Sequence, residues 1–192
     1  AEPRVSIAAV EPLPSNPEIE LPDYEIATVD GYDRVTLPGG DVLLEPNTPM
    51  VPIYRIEWEV PRGVVVQNVE VQQRSDLRTD IGLNLQVAVM TIDAFGDESV
   101  ATEVEPKPGW CPDRDLDWRI IPGADGVSTL AVTLYPFAYN AQTTESRFYK
   151  QYTLDIETVD SPVRINALFT DGKAYAPGDL VTAKLWLHAE GE

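Results

Sequence analysis

The 192-residue sequence has one cysteine, Cys111, and one histidine, His188. A single cysteine forms no intrachain disulfide, so thiol usage does not fix a redox compartment. No apolar run approaches the roughly 18 residues of a membrane-spanning helix, so no membrane insertion is expected. No apolar stripe of 3.6-residue period extends beyond about two turns, which argues against long helices. Basic residues are also scarce: 14 Lys and Arg, of which four are lysines, face 32 Asp and Glu, for a formal net charge of −18. Such a surface repels phosphate backbones and anionic bilayers, so nucleic acid is excluded as a partner. Few lysines among many acids also fit a strongly hydrated, salt-tolerant surface. No signal peptide is evident, and Ala1-Glu2-Pro3 would suit the start of a processed chain or a trimmed one equally well.

What is present is punctuation and alternation. The 17 prolines and 12 glycines are spread along the chain, as many short strands and turns require. The stretch Pro49 to Gln73 organises the rest. Tyr54, Ile56, Trp58 and Val60 alternate with Arg55, Glu57 and Glu59, which gives a strand one apolar and one charged face. Pro61-Arg62-Gly63 breaks it, and Val64 and Val66 followed by Val69 and Val71 continue beyond. The change of spacing at Gln67-Asn68 predicts a bulge or bend. The pair is expected to form two antiparallel strands joined by a short turn.

Residues Ala1 to Glu20 read as a proline-rich extended arm in which Val5, Ile7 and Val10 would suit an edge strand. Short strands are expected at Tyr24 to Val29 and Val35 to Leu37, with turns at Asp30-Gly31 and Pro38-Gly39-Gly40-Asp41. Arg74 to Asp80 reads as a polar connection, and Leu83, Leu85, Val87 and Val89 as an alternating strand with Ala88, Met90 and Ile92 on its other face. Asp93 to Ser99 reads as an acidic loop. Glu103 to Gly126 is the least regular part, and its length marks a functional or lid-like loop. Strands follow at Leu130 to Leu134 and Tyr152 to Ile156, separated by a polar connection, Ala138 to Ser146. Many strands without helices need a second sheet to bury each apolar face. The fold class is therefore all-β, an antiparallel β-sandwich of jelly-roll or Ig-like type. Residues 1–160 form the main domain; 161–192 supply its final strands or open a second module, with turns at Asp171-Gly172 and Tyr175 to Asp179.

The residues give little catalytic chemistry. Cys111 in a Trp-Cys-Pro loop and His188 on a strand are better read as structural than as a nucleophile and base, and no catalytic residue is assigned. Asp113, Asp115 and Asp117 alternate, yet no glycine or terminal glutamate completes a calcium loop, so a solvated acidic loop is expected and no metal or other cofactor. The same holds for Asp93, Asp97 and Glu98. Trp110 and Trp118 flank the aspartates and suit either a sugar-stacking platform, hence a carbohydrate-binding or adhesion module, or a plug at one end of the sandwich; the plug is preferred. Glu57/Glu59 and Asp155/Glu157 are the wet faces of strands.

The stretch from Leu44-Glu45-Pro46-Asn47-Thr48-Pro49-Met50-Val51-Pro52 through Val60-Pro61-Arg62-Gly63 to Val69-Glu70-Val71 resembles the N-terminal propeptide of gingipain-type cysteine peptidases. The block Leu130 to Ile156 resembles the same family's second signature, with Pro136, Tyr139-Asn140 and Tyr152-Thr153-Leu154 in order. The resemblance spans roughly residues 36 to 158. It implies a secreted or cell-surface β-sandwich that precedes a peptidase, assists its folding and holds it latent. The partner would then be a downstream cysteine peptidase domain. It also implies a loop presenting an arginine to the peptidase cleft. The matching region, Glu103 to Gly126, holds Arg114 and Arg119 as partner-binding candidates beside Trp110 and Trp118. Arg119 is preferred, because Trp118 would anchor it and three aspartates surround Arg114. The tail from Ser161, with Tyr175, Pro177, Gly178 and Asp179 before an alternating strand, resembles the opening of an Ig-like module of surface proteins. That makes neighbouring Ig-like modules the other expected partners.

Overall fold

Trp58 and Val60 are buried and Glu57 and Glu59 beside them are exposed, as a half-buried strand requires. The structure, a computed structural model, describes residues 11–88, 106–123, 127–160, 163–170 and 183–189. Val5, Ile7, Val10, Met90, Ile92, the Asp93 to Ser99 loop and the turns at Asp171-Gly172 and Tyr175 to Asp179 lie outside them. The strands are β1 (Glu11–Pro12), β2 (Glu18–Glu20), β3 (Glu25–Val29), β4 (Tyr32–Thr36), β5 (Asp41–Val42), β6 (Pro52–Val60), β7 (Val64–Ile81), β8 (Trp110–Cys111), β9 (Leu116–Pro122), β10 (Ser128–Leu134), β11 (Phe137–Asn140), β12 (Glu145–Asp160), β13 (Val163–Thr170) and β14 (Ala183–Ala189).

No helix occurs among the described residues. In the first sheet β10 lies between β6 and β9, and β1 and β5 also pair with β6. In the second, β12 is the hub: it pairs with β7, β11 and β2, and β8 pairs with β11. The inward residues of both sheets form one cluster, including Trp58, Leu130, Val132 and Leu134 from the first and Val69, Phe137, Phe148, Leu154 and Ile156 from the second. The expected sandwich is therefore present. Each of these large side chains contributes about 1.5–3 kcal/mol by burial. β3 and β4 form a hairpin whose Asp30 and Gly31 have φ of 53° and 84°, the left-handed pair that a two-residue turn of matching twist needs. β13 and β14 form a separate antiparallel pair.

Several expectations require correction. β6 and β7 do not pair across Pro61-Arg62-Gly63. The turn, closed by Val64 N donating to Pro61 O at 3.2 Å, carries the chain from the first sheet to the second. A local turn signal is the same for a hairpin and for such an arch, and the apolar faces of β6 and β7 are satisfied by meeting across the core. Arg74 to Asp80 is not a connection but the second half of β7, paired with β12 from Ser146 to Tyr152. It lacks apolar periodicity because it is largely exposed, and β12 alone holds it in the sheet. Residues 138–140 and 145–146 likewise belong to β11 and β12, joined by a short turn in which Asn140 Oδ1 accepts from Gln142 N. Leu83 and Leu85 are buried as expected, yet this stretch makes isolated bridges and no ladder. The predicted bulge is real: the β7–β12 register slips by one residue at Gln67, which keeps Val66 and Val69 both buried.

The proline-rich arm binds both sheets. Glu11–Pro12 runs parallel to Trp58–Glu59 of β6. Farther on, Leu154 N donates to Pro17 O and Leu21 N to Lys150 O, so residues 15–21 follow β12. The arm leads into Tyr24, whose ring meets Phe137 and Phe148 edge-on at 5.4 and 4.9 Å between centroids. The Tyr24 hydroxyl donates to Asp80. Burial first, and then that hydrogen bond, push the Tyr24 pKa up to about 12. A phenol that holds its proton in the native state and loses it near pH 10 when unfolded favours the unfolded chain above that pH. Stability should therefore fall as pH rises from about 10 toward 12. Urea unfolding across this range should show a smaller fall in Tyr24→Phe than in the native sequence; identical slopes would assign the effect to other groups.

Candidate functional site

The irregular region expected between Glu103 and Gly126 contains a strap that joins the sheets. Cys111 and Trp110 of β8 pair with Tyr139 and Asn140 of β11, in the second sheet. After four intervening residues β9 begins, pairing from Leu116 opposite Leu134 to Pro122 opposite Ser128, in the first sheet. The region is thus strand over Trp110–Cys111 and Leu116–Pro122 and irregular between them, where one open loop was expected; Glu103 to Glu105 and residues 124–126 lie outside the described residues.

The crossing is held by polar contacts. Tyr135 N donates to Asp115 O at 2.9 Å. Arg114 pairs with Glu45 and, through Nε at 2.9 Å, with Asp117. Its Nη2 donates to Tyr135 Oη at 3.1 Å, and Tyr135 Oη donates to Asp117 Oδ2 at 2.6 Å. The Arg114 guanidinium also lies 4.6 Å from the Tyr135 ring centroid. The hydrogen bond to Tyr135, and next that to Glu45, raise the Arg114 pKa. Burial, followed by the hydrogen bond to Asp117, raises that of Tyr135. Arg74 pairs with Asp115 and stands 4.3 Å from the Tyr149 ring centroid.

These contacts place each candidate residue. Asp115 and Asp117 are committed to arginines, and among the described residues no three carboxylate, cysteine or histidine groups gather as a metal would need. Cys111 is buried, and burial raises its thiol pKa, which keeps it protonated at neutral pH. His188 stands in β14 opposite Arg164; its side chain is outside the described residues. Trp110 belongs to the second sheet and is half-buried, with the Arg147 guanidinium 3.8 Å from its ring centroid. Trp118 belongs to the first sheet and packs against the core. The two tryptophans therefore do not form one stacking platform.

Arg114 is half-buried and held by Glu45 and Asp117, whereas Arg119 is exposed and forms no ion pair with any described residue. It lies on the outer face of the first sheet, in the row Glu57, Ala131, Arg119, next to the row Arg55, Thr133, Asp117. Small side chains on β10 between charged ones on β6 and β9 leave a groove of about 230 Å³ along this face. Sequence reasoning missed Glu45, Arg74, Tyr135 and Tyr149. Their partners lie 18 to 75 positions away, so no local pattern in the sequence joins them.

Arg114→Ala should free the crossing. Hydrogen bonds to charged groups stabilise by about 1.5–3 kcal/mol, and exposure of roughly a third of this side chain reduces that to about 1–2 kcal/mol. Urea unfolding with Trp fluorescence should register that loss; a change below about 0.3 kcal/mol would show that the network does not hold the strap.

No family model matches the sequence, and no curated protein matches it. Solved structures do. A chain from the structure describing zymogenic latency of gingipain K from Porphyromonas gingivalis aligns with TM-score 0.61 and 17% identity, over 76% of this chain and 87% of that one. A chain from the complex of Porphyromonas gingivalis RgpB pro- and mature domains aligns with TM-score 0.60 and 15% identity, over 76% of this chain and 79% of that one. The fold described above is thus the fold of these gingipain pro-domain structures.

Proposed function

We propose that this chain is a non-enzymatic, secreted or cell-surface β-sandwich that acts by protein–protein contact, as a pro-domain acts on its peptidase. The carrying observation is the shared fold with structures concerned with zymogen latency and with a pro-domain bound to its mature domain. Its partner is a gingipain-type cysteine peptidase domain, which it keeps latent or helps to fold. Arg119 is the contact residue of choice: its guanidinium is exposed beside a groove, on a strand the core holds in place, and its fork of donors suits a carboxylate. Arg114 supports the same surface from within. Residues 161–192 belong to a following Ig-like module, a reading that the separate pairing of β13 with β14 favours. The carbohydrate-binding alternative is not carried forward, because Trp110 and Trp118 sit in different sheets.

The test is inhibition of a gingipain-type peptidase by this chain and by its Arg119→Ala form. Inhibition by the native sequence is expected, and a constant at least tenfold weaker for the variant, equivalent to about 1.4 kcal/mol. Absence of inhibition would overturn the latency reading; equal constants would remove Arg119 from it.

A further inference from the structure

The opposite side of the strap bears a second cleft, of about 260 Å³, between residues 110–115 and the outer face of the second sheet. Three of the chain's ten arginines line it: Arg74, Arg114 and Arg147. Each lies against an aromatic ring, Tyr149, Tyr135 and Trp110 respectively, at 4.3, 4.6 and 3.8 Å from the centroid. On a chain of net charge −18, this is an unusual gathering of cations. Three guanidinium groups face two carboxylates in the lining, Asp113 and Asp115.

The ring contacts define what the cleft can take. A guanidinium held over an aromatic face loses little further freedom on binding and keeps its N–H edge for a planar acceptor. Two of the three already hold such acceptors from the chain itself: Arg74 holds Asp115, and Arg114 holds Glu45 and Asp117. Arg147 has the same aromatic support and no carboxylate among the described residues. Pro112, Pro136 and Ala138 supply an apolar wall. Tryptophan, tyrosine and arginine together are the residue types that dominate protein–protein hot spots.

We infer that Arg147 and Trp110 form a binding site for a carboxylate carried by a partner polypeptide, either an Asp or Glu side chain or a chain terminus. The carboxylate takes the open edge of Arg147, and the residue beside it rests on the proline wall. This surface is separate from the Arg119 groove and does not depend on the peptidase being the partner.

The experiment uses the whole chain and short peptides, with the Trp110 indole N–H and Arg147 Nε–H signals followed by NMR. Three probes are compared: acetyl-Ala-Leu-Glu-Ala-amide, its Gln counterpart, and acetyl-Ala-Leu-Ala with a free carboxyl terminus. A saturable shift is expected with one or both carboxylate probes, with a Kd of about 1 mM, and which of them binds identifies the source. The Gln amide should give none. Arg147→Gln should abolish the shift and Arg147→Lys weaken it, while Arg119→Gln leaves it unchanged. No saturable shift with either carboxylate probe, an equal shift with the Gln amide or with inorganic phosphate, or retention of binding in Arg147→Gln would each overturn the assignment. Because no peptidase enters this experiment, its failure is distinct from failure of the inhibition test.

Discussion

Each of the two large sheets buries one apolar face, chiefly against the other sheet, with Leu21, Val35, Leu37, Leu83 and Leu85 joining the same cluster. That constraint decides the path of the chain. The chain crosses between the sheets at Pro61-Arg62-Gly63, at Tyr135-Pro136 and along Cys111 to Leu116, and the arm from Glu11 to Leu21 touches both sheets. Prolines stand at these crossings because a residue that needs no ladder partner is favoured where the chain leaves a ladder. β12 is paired along both of its edges, so the second sheet is built on it, and its inward Phe148, Leu154 and Ile156 supply much of the core.

Charge has a different role. The ion pairs are half-exposed, and each is worth at most about 1 kcal/mol. They do not compete with the burial of Phe137 or Leu130. They do choose where the backbone sits once the core has formed. Arg114 and Arg74 fix the strap, while Arg78 and Lys150 both reach Asp23 beside Tyr24. With so few basic residues, those that pair internally go to geometry. Arg119 and Arg147, on opposite sides of the strap, have no ion pair among the described residues, and the same holds for Arg34 and Lys107.

Fold class was legible in the sequence because burial writes a period of two into strands such as Tyr54 to Val60 and Tyr152 to Ile156. The bulge at Gln67 was legible for the same reason, since valines on either side had to share one face. Pairing was not. Pro61-Arg62-Gly63 has the same local chemistry whether the strands it joins lie side by side or face each other. Arg74 to Asp80 has no apolar pattern to read, because its place in the sheet comes from the backbone of β12. At the candidate site, Arg119 and the tryptophans were visible as residue types. The Arg114, Glu45, Asp117 and Tyr135 network was not, because it exists only once the two sheets have brought Glu45 and Tyr135 to the strap.

The strap is part of the sandwich, so Arg119 and Arg147 stand on a rigid base. Native-state hydrogen exchange reads this rigidity through the β9 amides that donate to β10. They are predicted to exchange only with an opening close in free energy to that of β12, because the strap is tied to both sheets. Exchange of these amides at a cost near that of a frayed terminus, with β10 and β12 still protected, would contradict it.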